Sequence, residues 1–384
     1  MGIQDLNKLI QRYAKSGIGR VPITQYSGKK IAIDGHNLLY RNMYGAKKQV
    51  SSRTNFAVDT VNEKDTHREW LRLCLKSCIK FLRHNVIPIM VFDGKHPPEK
   101  KDTQNKRREE TRKQKENLDE KIRQLNETDI LDRTPELIAE VQDKYSSILS
   151  INIDQIENLI NVIDSIGLPW LQADGEAEQL CAMLAREGHV EAVFSRDTDN
   201  LALGCPVLLT QYSGTLYNNG RSVPAIEFYE LKTILSELKL KYKEFLDMCI
   251  ILGCDYNDRL YGMGVVTAYE TIKEKRSLAA IAKERKIDVC NYDRCMHNFR
   301  KVDSKEIIVG GRMYIKEPNF FEVREILETH GISQLAQGLC SQMAENEKYA
   351  KEEHYLRKEE EKEQKENAPK KKKLIVRIKK KNVS

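Results

Sequence analysis

Six carboxylates stand where side chains gather for chemistry. Lys29 to Asp34 reads as a buried strand ending in an acid, and Ile87 to Asp93 reads as a second. A third, Val190 to Ser195, runs into Arg196-Asp197-Thr198-Asp199, and Asp174-Gly175-Glu176-Ala177-Glu178 opens a helix that continues to Arg186. Taken singly, an Asp after a strand is a common turn former, and Glu in a first helical turn suits the helix dipole. The coincidence at three strand ends outweighs that account. Parallel α/β sheets bind ligands beyond the carboxyl ends of their strands, where Asp34, Asp93, Asp197 and Asp199 fall. In an extended stretch Asp197 and Asp199, two apart, face one point. Glu176 and Glu178 diverge in a regular helix, but an irregular first turn lets both reach the crevice. Gathering these acids costs several kcal/mol unless cations neutralise them. Hard oxygen ligands suit Mg²⁺ or Mn²⁺ rather than zinc. Two such ions roughly 4 Å apart serve phosphoryl chemistry, activating water and stabilising the leaving oxygen. The surplus of acids argues against a glycosidase, which uses a single pair. Neither a Walker Gly-rich loop nor a G-x-S-x-G elbow is present.

The elements that must position these residues follow an α/β order. Glu69 to His84 has helical apolar spacing between the first two strands, so the unit is βαβ and a parallel central sheet flanked by helices is predicted. Asp154 to Ser165 reads as a helix stopped by Gly167 and Pro169, followed by a short strand through Trp170. Val207 to Tyr212 reads as a fourth strand, and the chain from about 227 to 345 as mostly helical. Within that part, a helix from Phe245 to Gly253 ends at Cys254-Asp255-Tyr256. Leu260-Tyr261-Gly262-Met263-Gly264-Val265 then leads into a helix from about Val266 to Lys275. A G-x-G turn before a helix exposes N–H groups that hold phosphate, although alone it is usually an ordinary helix-helix turn.

Composition narrows the class. The 384 residues are 40% apolar and 32% charged, which permits a sizeable core and excludes collagen, a disulfide scaffold and full disorder. Apolar runs such as Val86 to Phe92 are too short to span a bilayer, and Met1-Gly2-Ile3-Gln4-Asp5 lacks a signal-peptide pattern, so a soluble protein is expected. The nine scattered cysteines contain no C-x-x-C pair and read as reduced thiols of an intracellular compartment. Cys290 and Cys295 lie near His297, but without a second ligand pair they fall short of a zinc pattern. The formal charge is +7, and eight bases between 370 and 384 leave the remaining chain at −1. That tail reads as a polyanion-binding or nuclear-targeting arm, or as a solubilising end. From Lys95 to Arg123, eleven bases stand against seven acids with few apolar residues, which predicts charged helices or a loop projecting from the core.

These residues resemble the flap endonucleases of the XPG-type, structure-specific 5′ nuclease family. The resemblance rests on Met1-Gly2-Ile3-Gln4, Ile31-Ala32-Ile33-Asp34, Val91-Phe92-Asp93-Gly94-Lys95, Ala173-Asp174-Gly175-Glu176-Ala177-Glu178, Ser195-Arg196-Asp197-Thr198-Asp199 and Leu252-Gly253-Cys254-Asp255-Tyr256. Gly262-Met263-Gly264 and Glu317-Pro318-Asn319 extend it, so it covers roughly residues 1 to 345. It implies a PIN-like nuclease core, a helical arch and a helix-turn-helix that grips duplex DNA. It also implies seven metal-site carboxylates, Asp34, Asp93, Glu176, Glu178, Asp197, Asp199 and Asp255, holding two Mg²⁺ ions for which Mn²⁺ can substitute. Lys100 and Arg107 fall where the family places bases that reach the scissile phosphate. Tyr40 matches its stacking aromatic, Gly2 would approach the DNA junction, and Gly262 and Gly264 would contact the duplex backbone.

The implied organisation is a nuclease domain over 1–345 and a charged linker with a basic tail over 346–384. Within the former lie an N-terminal region (1–110), an arch (95–150), an internal region (150–278) with the helix-turn-helix at 245–275, and a helical remainder (279–345). The implied reaction is hydrolysis of a DNA phosphodiester at a flap or junction in replication, repair or recombination, by a monomer acting on branched DNA. Mainly 5′–3′ exonuclease action, RNA-containing substrates, or a DNA-binding module without catalysis are the alternatives. Two departures stand out. His36 follows Asp34-Gly35, where the family usually has small residues, and the C-terminal sliding-clamp motif is missing.

Overall fold

A computed structural model describes residues 3–53, 61–94, 101–218, 220–285, 292–299 and 307–329. In chain order the elements are α1 (Leu6–Tyr13), β1 (Ile18–Pro22), β2 (Lys30–Asp34), α2 (Gly35–Arg53), α3 (Glu63–Leu82), β3 (Ile87–Phe92), α4 (Lys101–Glu127), α5 (Pro135–Ser147), α6 (Ile153–Ile166), β4 (Trp170–Ala173), α7 (Ala177–Arg186), β5 (Ala192–Phe194) and α8 (Asp199–Ala202). They continue with β6 (Val207–Asn218), β7 (Arg221–Glu230), α9 (Leu231–Leu238), α10 (Tyr242–Leu252), α11 (Val265–Lys275), α12 (Leu278–Arg285), α13 (Tyr292–Asn298), β8 (Ile308–Arg312) and α14 (Phe320–Thr329).

One eight-stranded sheet runs β1-β7-β6-β5-β2-β3-β4-β8. Its five middle strands, β6 to β4, are parallel, and the outer strands pair antiparallel. Alternate residues feed two apolar layers. Ala32, Ile89, Val91 and Val193 face a layer built from α1, α7, α9, α10 and α11. Ile31, Ile33, Met90, Phe92 and Phe194 face one built from α2, α3, α6 and α14. Cover on both faces explains why Ile87 to Phe92 is buried at every position. No helix among the described residues is long and apolar enough to cross a membrane.

The chain moves from β2 through β3 to β4 in one direction, then returns to place β5 on the other side of β2. This reversal leaves a crevice at the carboxyl ends of β2 and β5, the position where open α/β sheets bind ligands. Beside it, the ends of β3 and β4 approach closely. The Gly94 N–H donates to the Gly175 carbonyl at 2.7 Å, and a Cβ on Gly94 would sit 2.0 Å from the Ala173 carbonyl oxygen. Backbone cannot yield as a flexible side chain does. Gly94→Ala is therefore expected to lower stability by about 2–3 kcal/mol, read from the urea midpoint at constant m-value.

Several expectations are corrected here. β1, β7 and β8 are not anticipated by the sequence, and Val207–Asn218 continues well past Tyr212 to form a long hairpin with β7. Asp197 and Asp199 do not lie in an extended stretch. Thr198 has helical angles and Asp199 begins α8, because the Asp197 side chain accepts from the Asp199 N–H at 3.0 Å and closes a turn. The basic segment does project as a helix, α4, yet it also buries Leu118 and Leu125 with Val141 and Tyr145 of α5.

Candidate active site

Asp34 closes β2 at the crevice and is buried. One carboxylate oxygen accepts from the Asn37 N–H at 3.1 Å, and the other from the Ser195 hydroxyl at 2.9 Å. Ser195 in turn accepts from the Asp197 N–H at 3.1 Å, so a single hydroxyl ties β2 to the turn after β5. Burial pushes the Asp34 carboxyl up to about 7. The charges of Asp93 and Asp197 push the same way, against the Asn37 and Ser195 hydrogen bonds.

Asp93 follows β3 and accepts from the Ala177 N–H at 2.6 Å, so it caps the first turn of α7 from a different strand. His36 Nδ1 lies 3.3 Å from its other oxygen. Glu176 is the N-cap residue of α7, and Glu178 lies in its first turn. The buried Glu176 carboxylate accepts from the Tyr256 hydroxyl at 2.7 Å. Asp199 is buried too and accepts from the Ile3 N–H at 2.5 Å, which draws the N-terminal segment onto the site. Burial raises its carboxyl, as do the charges of Asp197 and Asp255. Burial also raises the Tyr256 hydroxyl, together with the charges of Glu176, Glu178 and Asp255.

These shared fields connect all seven acids. Among the described residues no three of them converge closely enough to hold one ion by themselves. Asp34, Asp93, Glu176, Asp197 and Asp199 each accept a hydrogen bond from the chain. The donor set is all-oxygen and anionic, and burial raises two of its members. It fits hard divalent cations and does not fit a soft metal.

Around the acids lie the other residues of interest. Tyr40 is partly exposed, its ring 6.5 Å from that of His36. Gly262 has φ +73°, which explains the need for glycine there, and Gly264 is the N-cap residue of α11. No side chain caps that helix. Gly2 and Lys100 lie outside the described residues, as do the Arg107 side chain, Cys290 and the tail.

Sequence reasoning missed Ser195 and Tyr256 as positioning residues, since neither type signals such a role. It also missed a group of bases. Arg41 lies over the Phe194 ring and Lys80 over the Tyr212 ring. Burial pulls both cations down, as does Arg196 acting on Arg41 and Arg41 acting on Lys80. Mutually repelling cations beside the end of β5 favour an anionic ligand.

Two family models match the chain in order: the XPG N-terminal domain over residues 1–115 and the XPG I-region over 167–255. Flap endonuclease 1 of Entamoeba dispar is 33% identical over 287 residues, covering 74% of this chain and 70% of that protein. The Encephalitozoon cuniculi enzyme of the same name is 32% identical over 289 residues, covering 75% and 77%. Among solved structures, flap endonuclease-1 from Methanococcus jannaschii superposes with a TM-score of 0.58 at 24% identity, covering 85% of this chain and 96% of that one. The catalytic core of Rad2 in complex with DNA substrate gives 0.57 at 17% identity, covering 87% and 98%. The two matched regions span Asp34, Asp93, Glu176, Glu178, Asp197, Asp199 and Asp255, and on these matches the chain belongs to the XPG family as a flap-endonuclease-like member.

Proposed function

We propose that this protein is a structure-specific 5′ endonuclease that hydrolyses DNA phosphodiesters at flaps and junctions. The observation that carries the reading is the set of hydrogen-bonded carboxylates, Asp34, Asp93, Glu176, Asp197 and Asp199, gathered where the sheet order reverses. The relatives named flap endonuclease 1 support the same activity.

Asp34, Asp93, Glu176, Glu178, Asp197, Asp199 and Asp255 would hold two Mg²⁺ ions, with Mn²⁺ as a substitute. Bound there, the ions supply an activated water and charge neutralisation at the leaving oxygen. The chain's own residues do the rest. Ser195, Tyr256 and the Ile3 and Ala177 N–H groups hold the carboxylates in place. Tyr40 stacks on a base beside the cut. Lys100 and Arg107 stabilise charge on the scissile phosphate. Arg41, Lys80 and Arg196 receive backbone phosphates, Gly2 approaches the junction, and the loop at Gly262 and Gly264 with the α11 N-terminus grips the duplex. The protein acts as a monomer, and the basic tail directs it to the nucleus.

The test is a 5′-labelled flap duplex incubated with Mg²⁺ or with EDTA. Release of the flap at its base is expected only with Mg²⁺. Affinity should fall linearly in log salt, because phosphate contacts release counterions. Tight binding without cleavage in either Mg²⁺ or Mn²⁺ would replace the reading with a binding module. Faster digestion of a blunt duplex than of a flap would replace it with an exonuclease.

A further inference from the structure

The loop that carries Asp255 leaves α10 at Gly253 and reaches α11 at Gly264. Its second residue, Cys254, is partly exposed, and its sulfur lies 3.8 Å from that of the fully buried Cys295 in α13. The other described thiols, Cys74, Cys78, Cys181, Cys205 and Cys249, are all buried.

Neighbouring contacts hold the two sulfurs facing each other. The Tyr256 ring meets Phe299 edge-on, with centroids 6.1 Å apart. The Tyr292 hydroxyl donates to Asp247 of α10 at 3.0 Å, and Gln179 of α7 donates to the Asn298 carbonyl at 3.2 Å. α13 is therefore anchored to two helices, whereas Cys254 belongs to a loop. The pair sits beside a proposed metal-site carboxylate, since Asp255 is the next residue along the chain.

We propose that Cys254 and Cys295 are a redox modification site, closing to a reversible disulfide that switches off the neighbouring carboxylate site. This rests on the nuclease reading above. A peroxide transfers one oxygen to the Cys254 thiol, giving a sulfenic acid, and its other oxygen leaves as water. The Cys295 sulfur then attacks the Cys254 sulfur, the S–O bond breaks, and a second water departs. Overall two thiols lose two electrons and two protons to one peroxide. The sulfurs must close from 3.8 Å to about 2.05 Å. With α13 anchored, the loop moves and takes Asp255 with it. Misplacement of a catalytic group by about 1 Å costs on the order of 10²-fold in rate.

The experiment treats the full chain with hydrogen peroxide, removes the excess with catalase and measures flap cleavage in Mg²⁺ before and after dithiothreitol. Peptide mass mapping is expected to find Cys254 joined to Cys295, with cleavage lowered on the order of 10²-fold and recovered on reduction. Cys254→Ser should cleave at the reduced wild-type rate and keep that rate in peroxide. Cys295→Ala should behave in the same way, so the test survives if either variant fails to fold. Failure of the crosslink to form, its formation with no change in rate, or an equal loss in Cys254→Ser would each overturn the proposal. If the reduced wild type cleaves no flap, the nuclease reading itself fails, whatever the mapping shows.

Discussion

Asp34→Asn is expected to slow flap cleavage about 10³-fold while making the protein harder to unfold in EDTA. The two effects share one cause. Asp34 is an ionisable group in a buried place, and burial together with Asp93 and Asp197 pushes it up to about 7. Its ionised form is therefore disfavoured by the fold, and it is the ionised form that would hold a cation. Asparagine keeps the shape. Its amide oxygen accepts from the Asn37 N–H as the carboxylate does. Its amide nitrogen donates to Ser195, whose hydroxyl has a second lone pair besides the one taken by the Asp197 N–H. What disappears is the charge. Loss of a preorganised electrostatic group at a reacting phosphate costs about 10³-fold, which single-turnover cleavage would resolve. Removing the buried charge should raise stability in EDTA by roughly 2 kcal/mol at pH 8, less than the full cost of burial because charged hydrogen bonds are lost too. Saturating Mg²⁺ should narrow that difference, since ligand binding stabilises the wild type more than the variant. Cleavage within tenfold of wild type would remove Asp34 from the metal set. A fall in stability would show that the acid is not held against its preference.

This tension between function and stability is what made the site readable. Acids at the ends of buried strands break the hydrophobic pattern, and no packing argument needs them. Strands β2, β3 and β5 were equally plain, because strands covered on both faces are runs of apolar residues. The edges were not. β1 contains Gly19 and Pro22, and β8 contains Gly310 and Gly311, so both hold their shape through antiparallel pairing with β7 and β4. α2 opens with Gly35-His36-Asn37 and contains Gly45, weak helix formers that are fixed by packing against α3. Within the site, the charged members were legible and their neutral supports were not. Ser195 and Tyr256 are ordinary residue types, and only the pairing of β2 with β5 and the approach of the Asp255 loop to α7 give them a task. The turn at Asp197 was misjudged because a side-chain hydrogen bond to the Asp199 backbone competes locally with extended structure.

The second large effect lies away from the acids, where a single carboxylate fastens the far edge of the sheet. Asp164, in the last turn of α6, accepts from the Trp170 indole N–H of β4 at 2.8 Å and pairs with both Arg312 of β8 and Lys316. Arg312 also donates to the Leu168 carbonyl at 2.9 Å. Burial alone would raise the Asp164 carboxyl, but the bonds from Lys316, Trp170 and Arg312 outweigh it and bring it down to about 2. The sign follows from linkage. A carboxyl lowered in the folded state adds stability that is complete above its unfolded value of 3.8 and is lost as pH falls toward 2. The full shift corresponds to about 2.5 kcal/mol, and solvent at this partly open site reduces it to roughly 1.5. Asp164→Ala should lose more than that at pH 7, about 2–3 kcal/mol, because it also strands Arg312 in a half-buried place. Urea midpoints between pH 5 and pH 2.5 should then fall less steeply for the variant than for the wild type, since the alanine has no proton to take up. Parallel pH profiles would mean that the cluster adds nothing to folding. Loss of flap cleavage in proportion to the unfolded fraction alone would place Asp164 in the scaffold and keep it out of the chemistry.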